Sequence, residues 1–166
     1  MKFKSLEDLL HQELKDLYSA ETQLLKALPL MARAAYHESL QNGFEQHLNQ
    51  TRDHIERLQR AASLLGIKLS GHRCKAMGGL IEESQDFMHE QAGPAVRDAG
   101  LIAAAQCIEH YEIAGYGTAR SLAELLGHDE VVGLLEETLE EEKETDTLLT
   151  EIAESGINIE AAAAAD

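Results

Sequence analysis

The chain has 166 residues, enough for one domain with a substantial core. Its formal net charge of -16 disfavours nucleic acid and anionic membranes as partners, since both would repel it, and suits cations. Abundant Leu, Ala and Glu with only 2 prolines favour helices and serve strands poorly.

The first periodic segment runs from about Ser5 to Tyr36, with Ser5 and Asp8 resembling a capping box in which Asp replaces Glu or Gln. Leu6, Leu10, Leu14, Leu17, Leu24, Leu28 and Met31 form one stripe at helical spacing. Pro29 predicts a kink or local irregularity near the end of that helix. The second segment spans about Ser39 to Leu65, with Phe44, Leu48, Thr51, Ile55, Leu58 and Ala62 on one face and Gly66 as its stop. Residues 66–93 form a connector holding a short helix from Leu80 to about His89, closed by Gly93-Pro94. A third long helix reaches from Pro94 to Leu126, and a fourth from Asp129 to Glu154, ended by Gly156. These elements predict an all-α fold: two helical hairpins joined by a long crossover, the connectivity of a ferritin-like four-helix bundle with a short additional helix. The bundle is expected over residues 1–156, with a frayed C-terminal tail over 157–166.

No apolar run approaches the ~20 residues of a membrane span, so no membrane partner is expected. The N-terminal residues carry no apolar signal core, which predicts a cytoplasmic protein. Two cysteines there are expected to be reduced, Cys74 in the connector and Cys107 packed within a helix.

Glu109 and Glu112 stand out, because they share a helix face with Ala105, Ile108 and Tyr116. Carboxylates rarely enter an apolar face unless a cation or a proton network holds them. Other helices carry similar intruders. Glu21 fills the gap between Leu17 and Leu24, His54 lies between Thr51 and Leu58, and His47 lies two turns upstream of it. Glu142 follows Leu139 by three residues, with Asp146 one turn further on. Taken singly, Glu142 reads as part of an exposed acidic face and His54 as a satisfied core histidine.

Depth argues otherwise. Antiparallel neighbours meet where their numbers are symmetric about the turn, good to about one helical turn. A first turn near Glu38 sets Glu21 opposite Ile55, next to His54. A second near Gly127 sets Glu112 opposite Glu142, and Glu109 opposite Thr145, next to Asp146. Carboxylates with a histidine from all four helices make a hard, oxygen-rich donor set suited to iron or manganese, often as a pair. The predicted metal ligands are Glu21, His54, Glu109, Glu112, Glu142 and Asp146. Tyr18, Tyr111 and Tyr116 are candidates for hydrogen bonds to them.

The segments Asp16–Glu21, Cys74–Glu83, Arg97–Gln106, Glu109–Thr118 and Thr138–Lys143 resemble the YciF/YciE family of bacterial ferritin-like proteins. The resemblance covers nearly the whole chain except the tail. It implies a ferritin-like bundle with an extra short helix, a homodimer, a di-metal centre and a part in bacterial stress response, without a defined reaction. Two ions of iron, with manganese as the alternative, follow from that reading. Oxidation of ferrous iron or reduction of oxygen or peroxide is one expected activity; non-catalytic metal binding and a structural or interaction bundle are the alternatives. This chain departs from the usual ferritin-like Glu-x-x-His spacing: Thr51 and Gln50 precede His54, and Glu142 is followed by Thr145 and Asp146.

Overall fold

The computed structural model describes residues 3–89 and 91–164, which contain helices and no strand. Helix α1 spans Leu6–Ala34. At its start, Ser5 Oγ accepts the Asp8 N–H at 3.2 Å. The Asp8 carboxylate reaches back to accept the Lys4 N–H at 2.9 Å, so one orphan donor of the first turn and the N–H just before the cap are both satisfied. Pro29 lies inside α1 without ending it, and Leu28 and Met31 beside it remain in the core.

Helix α2 spans Glu38–Leu65 and ends at Gly66, whose left-handed φ of 66° suits glycine. Its N-terminus has no cap from its own side chains. Asp98, fully buried, does that work from another helix. Its carboxylate accepts the Tyr36 N–H at 2.9 and 3.0 Å and the His37 N–H at 2.8 Å. An anion at a helix N-terminus is also favoured by the helix dipole.

Helix α3 spans Lys75–His89, starting before the expected Leu80 and running through Gly78 and Gly79. Each glycine costs about 1 kcal/mol against alanine in a helix interior. Docking onto α1 offsets this: Ser19 Oγ accepts the Cys74 N–H at 2.8 Å, and Gln23 Nε2 donates to the Cys74 carbonyl at 3.1 Å. Helix α4 spans Pro94–Leu125 and α5 spans Asp129–Ile152. The helical path does not stop at Gly156. A π turn, Ala153–Ile157, leads into a short helix α6, Asn158–Ala163. The expected frayed tail is therefore helical through Ala163. Ile157, only 1% exposed, packs into the core and holds the path in place.

Helices α1 and α2 form one hairpin and α4 and α5 the other; α2 also packs on α5, and α1 on α4, closing a four-helix bundle. Helix α3, within the crossover, lies against α1 and α4. The all-α bundle with one long crossover is as expected from sequence. Its interior is two apolar clusters. One gathers Leu10, Leu14, Leu58, Tyr116 and Leu135. The other gathers Leu24, Met31, Phe44, Ile108 and Ile152. Buried polar side chains occupy the level between them.

Candidate metal centre

Each long helix gives up its apolar stripe for about one or two turns at this shared level. Glu21 comes from α1, His47, Thr51 and His54 from α2, Glu109 and Glu112 from α4, and Glu142 from α5. All are buried; Glu21, His54, Glu112 and Glu142 are 0% exposed. A seven-residue separation puts His47 and His54 on one face of α2, and a three-residue separation puts Glu109 and Glu112 on one face of α4.

The side chains sort into two groups. Donor atoms of His47, Glu109, Glu112 and Glu142 lie within 4.8 Å of one another, as do those of Glu21, His54 and Glu142. Glu142 belongs to both: Oε1 is 3.1 Å from His54 Nδ1, and Oε2 is 3.8 Å from His47 Nε2. His54 Nδ1 is also 3.2 Å from Glu21 Oε1, and His47 Nε2 is 3.4 Å from Glu109 Oε1. Tyr116 donates its hydroxyl to Glu21 Oε1 at 2.5 Å.

Both oxygens of Glu112 and of Glu142, one each of Glu21 and Glu109, His47 Nε2 and His54 Nδ1 have no aligned hydrogen-bond partner. A buried polar atom left so costs about 1–3 kcal/mol. Such a concentration of unpaired acceptors between two dry cores fits a cation. The hard oxygen donors with two imidazoles fit divalent iron or manganese.

Electrostatics agree. Burial pushes the Glu109 and Glu112 carboxyls well above the ordinary range, with Glu142 and Glu21 adding to the effect. Burial also raises Glu21, against the pull of His54. Burial alone would depress His54, but its contacts with Glu142 and Glu21 outweigh that and push it up to about 11. Glu142 is drawn below the ordinary carboxylate range by His54 and His47 despite its burial. Burial holds His47 below its usual value. Without metal, proton uptake is thus favoured at Glu109, Glu112 and His54, which lessens the crowding of negative charge.

Of the six predicted ligands, five come together: Glu21, His54, Glu109, Glu112 and Glu142. Asp146 does not join them. Its side chain is 23% exposed at the α4–α5 seam, 3.2 Å from Gln106 Nε2 and 3.4 Å from His110 Nε2. Thr145, three residues after Glu142, takes the inward position instead and meets His47 Nδ1 at 3.4 Å. His47 is the ligand-type residue that sequence reasoning noticed and did not choose. Its seven-residue separation from His54, two helical turns on one face, was the available signal. The α2 position lacking a carboxylate before His54 is thus furnished by a second imidazole two turns upstream. Among the tyrosines, Tyr116 touches the cluster, Tyr111 instead meets Cys74 Sγ at 2.9 Å, and Tyr18 meets Gln59 at the surface. Cys107, expected to be packed, is exposed on α4, and Cys74 at the end of the connector is buried.

This bundle has recognisable kin. Residues 5–162 match the family described as a domain of unknown function, DUF892. The chain is 47% identical over 159 residues to Protein YciF of Escherichia coli (strain K12), across 95% of this chain and 96% of that protein.

The chain belongs to this YciF-like DUF892 family.

Solved structures agree on the architecture. The crystal structure of the E. coli stress protein YciF superposes with a TM-score of 0.91 at 46% identity, covering 94% of this chain and 99% of that one. YcfI of Rhodopseudomonas palustris, described as a candidate structural protein, gives 0.85 at 46% identity, covering 89% and 94%. A protein of Xanthomonas campestris pv. campestris gives 0.73 at 23% identity, covering 91% and 92%, which shows the fold alone.

Proposed function

We propose that this YciF-like protein binds two divalent metal ions, iron or manganese, between its two hydrophobic cores and serves in bacterial stress response. The observation that carries the reading is the set of unpaired buried oxygens and nitrogens on Glu21, His47, His54, Glu109, Glu112 and Glu142. His47, Glu109 and Glu112 would hold one ion, Glu21 and His54 the other, with Glu142 placed to touch both. A pair of such ions would supply open coordination positions and one-electron chemistry toward ferrous iron, oxygen or peroxide. The protein's own contribution is dryness and position. The two apolar clusters exclude water on either side, and Tyr116 fixes one Glu21 oxygen. The stress role is suggested by the E. coli relative.

Among the described residues no helix is long and apolar enough to cross a membrane. The reading extends to a cytoplasmic homodimer. Exposed Phe87 and Val96 near the α3–α4 junction, and Leu30 in the groove between α1 and α3, supply apolar surface for a second copy. Light scattering of the eluting protein should give twice the 18.3 kDa chain mass.

The test is anaerobic titration with ferrous iron, followed by an oxygen pulse. Uptake of two ions per chain and an optical change on oxygenation are expected. Stoichiometric uptake with no oxygen or peroxide consumption would leave metal binding without turnover. A second reading, a bundle whose polar layer only fixes helix register, is favoured by the structural description of the R. palustris relative. Substoichiometric metal with no change in melting temperature would select it.

A further inference from the structure

Glu141 immediately precedes Glu142 on α5 and faces the other way, 26% exposed at the surface. One of its oxygens lies 2.8 Å from His54 Nε2. The opposite ring nitrogen, Nδ1, points between Glu21 and Glu142. Imidazole has one nitrogen for each task, and the outer hydrogen bond fixes which one carries the proton. Glu141 is itself pinned: Arg57 donates to both of its oxygens, Nη1 to Oε2 at 2.6 Å and Nη2 to Oε1 at 3.0 Å. Such two-pronged contacts set the carboxylate plane as well as its distance. Arg57 is in turn tied to Glu137 at 2.7 Å and Thr138 at 3.2 Å.

The other histidine is furnished differently. His47 presents Nε2 to Glu109 and Glu142, and its outer Nδ1 meets the Thr145 hydroxyl at 3.4 Å, with the Gln50 amide the other neutral partner of the ring. Thr145 spends its own proton on the Glu141 carbonyl at 3.0 Å. One imidazole is therefore backed by a clamped anion and the other by neutral groups, the Thr145 hydroxyl and the Gln50 amide. A carboxylate behind a ligand imidazole raises its basicity and stiffens its orientation.

We propose that Glu141, clamped by Arg57, is a positioning residue that holds His54 Nδ1 toward the Glu21–Glu142 cation position and tunes that position alone, leaving the two metal positions unequal. The inference rests on the metal-binding reading above.

Anaerobic titration with cobalt(II), read by absorbance and calorimetry, tests it. The wild type should take up two ions per chain. Glu141→Gln, which keeps a hydrogen-bond acceptor but loses the charge, should weaken one position about 10–100-fold and leave the other unchanged. The weakened position should be the one that His54→Ala removes and His47→Ala retains. Arg57→Lys, which keeps the charge but not the fork, should weaken the same position by less. Nitrogen-15 histidine spectra of the zinc-loaded protein supply a readout that packing alone would not move. The His54 Nε2–H proton should be downfield-shifted and slow to exchange with solvent in the wild type, and shifted upfield with fast exchange in Glu141→Ala. Two wild-type-like binding steps in Glu141→Gln with an unchanged Nε2–H signal in Glu141→Ala would overturn the inference. Equal loss at both positions would overturn it as well. A wild type that binds no cobalt would overturn the metal reading itself and this inference with it.

Discussion

Glu112 carries both oxygens into the bundle with no hydrogen-bond partner, so its charge has no relief except a proton or a cation. Glu112→Gln keeps the shape and removes the charge. Metal uptake should fall to at most one ion per chain, while the metal-free protein should melt at a higher temperature than the wild type; unchanged uptake would move the site elsewhere. The pH dependence has a definite sign. Glu109 and Glu112 hold protons more tightly folded than unfolded, so their stabilisation is complete below their ordinary 4.5 and is lost as pH rises through the raised values. His54 acts in the same sense between 6.5 and about 11. Glu142 and His47 are depressed, so their contributions are lost on acidification, below 4.5 and 6.5 respectively. The metal-free protein should therefore lose melting temperature on the alkaline side, and Glu112→Gln should flatten that limb. Calorimetry across the pH range checks both. Metal binding should release protons and tighten as pH rises, since ligands must be deprotonated. A loading curve independent of pH would contradict the assignment of these groups. At this scale sequence identified five of the cluster's six ligand-type residues. It included Asp146 because residues three and four after Glu142 are both near the inner face, and only the rotation of α5 chooses between Thr145 and Asp146.

The elements show where local rules and tertiary contacts compete. Ser5, Gly66 and Pro94 mark helix ends by local chemistry, and they do so in the fold. Helix α3 and the path beyond Gly156 do not follow local chemistry, because burial of Met77 and Ile157 outweighs the cost of glycine in a helix. Asp98 is the clearest tertiary cap, since it lies more than sixty residues from the N–H groups it accepts. Asp98→Ala should strand those donors and cost about 3 kcal/mol in urea unfolding, given the strength of hydrogen bonds to charged groups. A loss of only a few tenths would show that water replaces the carboxylate. Gly100 of α4 lies under the Phe87 ring of α3, and a Cβ there would collide with that ring. Gly100→Ala should therefore cost about 1–3 kcal/mol by overpacking. Gly79, with open space where a Cβ would stand, should accept alanine with no loss.

Across the whole molecule, a polar layer divides two apolar cores in a chain of charge -16. That layer concentrates the bundle's unpaired buried polar atoms, and on the metal-binding proposal it is the part that a cation would strengthen. Metal present at a hundred times its Kd should add about 2.7 kcal/mol, or roughly 5–11 °C in melting temperature for a domain of this size. A chelator should reverse the gain; a melting temperature indifferent to both would remove the layer's dependence on metal.

By itself the sequence determined the helices, the long crossover and the level at which the acids and a histidine meet. Helical periodicity and the symmetry of antiparallel hairpins are properties of spacing, and spacing is written in the chain. Only the tertiary structure decided that His47 faces the cluster and Asp146 does not, and that Glu141 and Arg57 stand behind His54. Those outcomes depend on how each helix is rotated against its neighbours, which the packing of the two cores sets as a whole.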